Sequence, residues 1–222
     1  MATRFLFIFI FIGNILQAQD STLLSKSFQF EDGIYLTFNA LQNNQPTFAW
    51  EEVQTSIFTN PQTLLTQISE VLLPNGFEDI QLNTQEIFAI SIAGVPYMKI
   101  EENEIKKDLT TFAALKVRGK ICYFGFTSIQ KRQIEMQAFN PKNGRPFRSS
   151  MIEREVEVFQ EKLLDFETGV IENFTVDNFL KRIQKDDMLV QTMSEMTPAE
   201  RQKKLFKCLL IFDDRNHFYF KK

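Results

Sequence analysis

Two stretches, EIFAISIAGVPYMKI and TTFAALKVRGKICYFGFTSI, confine the fold more than any other part of this chain. Both are rich in β-branched and aromatic residues. Each is interrupted once, at Gly94 in the first and at Arg118-Gly119 in the second. Residues of this kind suit a pleated, half-buried surface, and apolar runs on either side of a turn signal predict two strands in each stretch. The 24 phenylalanines follow the same logic. They are expected to fill the core of a β-rich protein rather than to form an exposed aromatic platform.

The other segments are read in the same way. FQFEDGIYLTF predicts strand, turn and strand about Asp32-Gly33. NALQNNQP is a polar break, and TFAWEEVQ is a further strand. In NPQTLLTQISEVLLPNG, Asn60 and Pro61 suit the cap and first position of a helix. Leu64, Leu65, Ile68, Val71 and Leu72 would then share one face, and Pro74-Asn75-Gly76 would end the helix. FNPKNGRPFRSS, residues 139–150, is a loop on its two Pro, its Gly and its basic residues. MIEREVEV then alternates, with Glu153, Glu155 and Glu157 on one side and Val156 and Val158 on the other.

DFETGVIENF predicts a hairpin turning at Thr168-Gly169. Thr175 precedes the helical pattern VDNFLKRIQ. Thr197, Pro198 and Glu200 form a capping box with proline at the first helical position, ahead of an apolar stripe of Leu205, Phe206, Leu209 and Leu210. The sum is an α+β protein: a mainly antiparallel β-sheet, a few packed helices and a helical C-terminal tail. One domain is expected over 19–222, with subregions 26–138 and 151–222 joined by the basic loop 139–150.

The opening MATRFLFIFIFIGNILQAQDS predicts a signal peptide, residues 1–18. Arg4 supplies the positive start, and Phe5 to Ile12 form an apolar run of the roughly 7–15 residues such leaders use. A spanning helix needs about 20. Cleavage is expected after Ala18, ahead of Gln19. The mature protein is then exported, periplasmic or extracellular, with no transmembrane segment. Losing Arg4 leaves 24 basic residues against 28 acidic, a net charge of about −4. That balance excludes a general nucleic-acid binder, which concentrates a basic face. Export permits a disulfide, but Cys122 and Cys208 both lie in apolar runs. Two buried thiols and one bridge are both open.

No pattern marks a catalytic, cofactor or metal site. His217 beside Asp213 and Asp214 lacks zinc-ligand spacing. Ser149-Ser150 lacks a nucleophile-elbow context, and the glycines are too isolated for a phosphate loop. Asp165 and Glu167 flank Phe166 and could share a strand face, as paired carboxylates do in glycoside cleavage. Adjacent acidic residues at a hairpin are, however, far more often turn formers or solvated side chains. Lys142, Arg145 and Arg148, with Lys131 and Arg132 before them, are the candidate partner-contact residues, for an envelope protein, an acidic glycan or a lipid head group, against the simpler reading of a solvated loop.

Three segments also resemble a group of exported proteins of unknown function from Bacteroidetes-type bacteria. They are DGIYLTFNALQNNQP, the pair GVPYMKI with FAALKVRGKICYF, and LLDFETGVIENFTVDNFLKRIQKDD. The shared signature is a GIYLTF…NNxP start and a late DFxTG hairpin leading into a helix. The resemblance implies an exported α+β protein and brings no catalytic residues with it. The expected function is a non-enzymatic envelope module that binds a partner or plays a structural part. The alternative is a carboxylate-dependent hydrolase of the periplasm or exterior, using Asp165, Glu167 or the Glu153–Glu157 strand.

Overall fold

A computed structural model describes residues 21–74, 79–105 and 109–220. The expected leader, 1–18, lies outside the described residues, as does Asn75-Gly76. The chain is α+β with mostly antiparallel sheets. The strands are β1 (Thr22–Leu23), β2 (Gly33–Tyr35), β3 (Gln54–Thr59), β4 (Leu65–Leu73), β5 (Ile80–Leu82), β6 (Ala89–Ile92), β7 (Val95–Lys99), β8 (Thr110–Ala114), β9 (Ile121–Phe139), β10 (Pro146–Asp165), β11 (Ile171–Asn173) and β12 (Tyr219–Phe220). The helices are α1 (Phe38–Gln42), α2 (Val176–Arg182), α3 (Asp187–Glu195) and α4 (Pro198–Arg215).

A seven-stranded sheet runs in the order β2-β6-β7-β8-β4-β3, with β5 also paired to β4. Ile34, Ile68, Val71, Ile90 and Phe112 form the core on one of its faces. Tyr35, Leu65, Met98 and Ala113 face the other way. There they meet Cys122, Phe124 and Phe126 from the root of a second sheet, β11-β10-β9. The opposite face of that root carries Ile121, Tyr123 and Leu163, which pack on Phe179, Leu189, Leu205 and Phe212 of the helices. The root of β9–β10 is therefore the middle layer of three, apolar on both faces. Finally β1 pairs with β12, joining the first and last described strands.

Strands form on both sides of Gly94 and of Arg118-Gly119 as expected: β6 and β7 pair as a hairpin, whereas β8 and β9 lie in different sheets, with a single bridge between Val117 and Tyr123 beside the turn. Four expectations are corrected. Residues 65–73 are a strand, not a helix. Asn60 does cap a turn, its side chain accepting from Gln62 N–H at 2.9 Å. However, β4 carries an extra residue between Ile68 and Val71 relative to β3. A bulge of this kind resets the alternation, so two residues three apart share a core face and imitate helical spacing. Asp32-Gly33 is not a hairpin turn either. The Asp32 carboxylate accepts from Ser91 Oγ at 3.1 Å, Ala93 N–H at 2.9 Å and Gly94 N–H at 2.8 Å, bracing the distant β6–β7 turn. NALQNNQP begins inside α1, which Thr37 caps through Ala40 N–H at 3.1 Å. TFAWEEVQ holds a 3-10 turn, Trp50–Glu52, ahead of β3.

Helix α4 starts where its capping box predicts. Thr197 Oγ1 accepts from Glu200 N–H at 3.3 Å, and Glu200 Oε2 accepts from Thr197 N–H at 3.0 Å. Its buried stripe is Leu205, Cys208, Leu209 and Phe212, while Phe206 and Leu210 are exposed. Replacing Thr197 with alanine is expected to cost about 1 kcal/mol, the usual value of an N-cap. An unchanged denaturation midpoint would show that the cap is idle.

Candidate functional site

Strands β9 and β10 are 19 and 20 residues long, several times the usual strand. Ser128 is buried, but Ile129 is exposed, and from there to the turn the two strands pair only with each other. The free part of β9, residues 129–139, spans about 35 Å at roughly 3.3 Å per residue. An isolated two-stranded ribbon is marginal in water. This one is held by its root, where Tyr123 donates its hydroxyl to Glu161 at 2.7 Å and the mostly buried Lys162 pairs with Glu104. Lys116 also lies over the Phe159 ring, 5.2 Å from its centre.

The basic segment 139–150 is the tip of this arm and not a spacer between subregions. Only residues 140–145 form the turn; 146–150 are strand, and the flanking strands pair with each other in one register from Arg148 onward. Asn140 shapes the turn. Its N–H donates to Arg145 O at 2.9 Å, its carbonyl accepts from Gly144 N–H at 2.8 Å, and its side chain accepts from Lys142 N–H at 2.9 Å. Pro146 is tolerated because it opens the strand. Phe147 is the extra residue of a bulge between Pro146 and Arg148. Lys142, Arg145 and Arg148 are all exposed. So are Phe139, at 56%, and Phe147, at 69%.

The register sorts the arm's charges by face. Arg132 lies opposite Arg154, Ile134 opposite Ile152, Met136 opposite Ser150 and Ala138 opposite Arg148, and Val156 and Val158 share their side. That face has three arginines and no acidic residue. The other carries Glu135, Glu153, Glu155 and Glu157, and there the Lys131 ammonium meets Glu153 at 2.9 Å. Arg132 and Arg154 were not both singled out by sequence reasoning. Their shared face could have been found only by extending the alternation of MIEREVEV across the turn.

The acidic face overlooks a cleft of about 650 Å³ at the arm's root. Asn60, Thr63, Gln67, Asn103 and Thr111 line one side of it, while Lys131, Glu155 and Glu157 come from the arm. Its carboxylates therefore stand on one strand, with amides and hydroxyls across from them. A glycosidase needs carboxyl groups flanking the scissile bond.

Asp165 and Glu167 have other work. Asp165 Oδ1 accepts from Glu167 N–H at 2.9 Å and Thr168 N–H at 3.3 Å, and Oδ2 meets Arg182 Nη1 at 3.4 Å. Arg182 also donates to Glu172 at 2.6 Å, the contact that does most to hold it protonated. Glu167 pairs with Lys120 at 3.0 Å. Gly169 closes the turn at φ +77°, and a Cβ there would fall 2.4 Å from the Phe38 ring. Asp165→Ala is expected to lower stability by about 1–3 kcal/mol, the cost of orphaning partly buried donors. Chemical denaturation measures it, and a change near zero would return Asp165 to the solvated surface.

Cys122 and Cys208 are free and buried in different clusters. Burial pushes the Cys122 thiol up to about 12 and raises that of Cys208, so both remain protonated at neutral pH. Among the described residues, no three His, Cys, Asp or Glu side chains gather as metal ligands, and no helix is long and apolar enough to cross a membrane. No family model, curated protein or solved structure matches the chain.

Proposed function

We propose that this is an exported envelope protein that works by binding through its arm rather than by catalysis. One observation carries the reading. About an eighth of a small protein's length, residues 129–157, is spent on a ribbon that leaves the core and ends in exposed phenylalanines and cations. Exposed apolar groups clustered beside charge mark interaction surfaces. The leader at 1–18 and the resemblance to exported proteins support the compartment, and the one-sided carboxylates of the cleft weigh against the hydrolase alternative.

Affinity capture from the host envelope tests the reading. Residues 132–154 are replaced by Asn-Gly, a pair suited to a two-residue hairpin turn, leaving Lys131 opposite Glu155. The mature wild type should retain envelope material that the shortened protein loses, while both unfold in a single cooperative transition. Equal retention by two folded proteins would remove the arm as the binding element.

A further inference from the structure

We infer that the arm docks on an anionic lipid surface, laying down its arginine-bearing face and dipping its tip. This rests on the arm being the binding element. The argument begins with the sorting of charge. Within the free ribbon, Glu135, Glu153, Glu155 and Glu157 all take one face, and Arg132, Arg148 and Arg154 all take the other. Lys142 and Arg145 extend the positive side around the turn, so residues 136–152 contain three cations and no acid. The chain as a whole is acidic, at −3. An anionic occupant is attracted to one side of the arm and repelled from the other.

The same face is also apolar. Ile134, Ile152, Val156 and Val158 are only part-buried, and Met136 is exposed. Arg132 and Arg154 stand directly across the ladder from one another, and like charges in that position destabilise a strand pair in water. Phosphate relieves them, because guanidinium groups bind it through two parallel hydrogen bonds. Their aliphatic stems can lie on the apolar ladder while their heads reach outward. The occupant must therefore be apolar and anionic together, along some 35 Å at 3.3 Å per residue. At the tip the requirement changes shape. Phe139 and Phe147 flank a turn and are more than half exposed; they form a protrusion, not a groove. A lipid interface accepts a convex apolar tip without a matching pocket, and basic residues beside aromatic ones are the composition of elements that lie in it.

Flotation of the mature protein with vesicles tests this. One set is phosphatidylcholine alone; the other is phosphatidylcholine and phosphatidylglycerol in a two-to-one ratio. Wild type should float with the anionic vesicles, stay behind with the neutral ones, and be released as salt shortens the screening length. R132Q/R148Q/R154Q should weaken partition on the order of a hundredfold, about fivefold for each cation removed from an anionic surface. F139S/F147S should also weaken it, whereas E135Q/E153Q, on the other face, should not. Circular dichroism checks that each variant folds, and the salt series on wild type stands if one does not. Equal binding to both vesicle types, or arginine and phenylalanine variants that match wild type, overturns the inference. A wild type that ignores vesicles while still capturing envelope protein through the arm identifies an acidic protein as the occupant and overturns the lipid inference alone. If capture is also indifferent to the arm, the proposed function falls with it.

Discussion

Phe166→Ala is expected to destabilise the protein by about 3–5 kcal/mol, the range for removing a fully buried phenylalanine. Phe166 has no exposed surface. Its ring meets Phe218 at 5.1 Å, Phe38 at 5.8 Å, Phe220 at 6.0 Å and Phe30 at 6.1 Å, all edge-to-face. These partners come from both ends of the described chain and from α1, so none can move in to fill the space without leaving its own packing. Edge-to-face pairs also contribute beyond the area they bury. The loss is read from urea unfolding at constant slope. A cost below about 1 kcal/mol, the typical effect of any point substitution, would show that the cluster is not a closed core.

The second large effect depends on pH. Asp213, on α4, accepts from Ile121 N–H at 3.0 Å, and its other oxygen is sealed without a partner. Gly119 lies so close that a Cβ there would fall 2.6 Å from the carboxyl carbon. Burial raises the carboxyl from 3.8 to about 7, partly offset by the Ile121 and Lys120 backbone hydrogen bonds. The sign is opposite to that of an ion-paired aspartate. Between about pH 4 and 7 the folded state keeps a proton that the unfolded state releases. Stability from this group is full below pH 4, is lost as pH rises through 7, and stays low above it. At about 1.4 kcal/mol per pH unit, the swing is on the order of a few kcal/mol. Asp213→Asn holds the group neutral at every pH. The variant should match wild type at pH 4 and exceed it by that amount at pH 8. Parallel stability curves for the two proteins would contradict the burial of the charge.

Much of the fold was legible where a local signal and its tertiary use coincide. Gly94 turns a hairpin whose two strands pair with each other, and Thr197, Pro198 and Glu200 write a helix start into four consecutive positions. The sequence misled where a residue serves a distant partner. Asp32 looked like a turn former because its three donors lie some 60 positions away. Ile68 and Val71 looked helical because a bulge, invisible without the partner strand, brings them to one face. At the candidate site, composition located the tip cations Lys142, Arg145 and Arg148. It did not show that they crown an arm, because two prolines and a glycine obscure a strand that resumes at Pro146. Which face Arg132 and Arg154 share follows from the cross-strand register, and register is a property of the pair of strands.

The pairing of β1 with β12 makes one aromatic cluster depend on segments about 190 positions apart. Phe28 stacks on Phe220 at 4.3 Å, and Phe30 also meets Phe220 edge-to-face. Contacts of such long sequence separation require a large loop to close before they repay its entropy. The cluster of Ile34, Ile68, Val71, Ile90 and Phe112 has no such requirement, because its members are drawn from a much shorter stretch. The aromatic cluster is therefore the later of the two to assemble, and a chain cut before Tyr219 would leave it open.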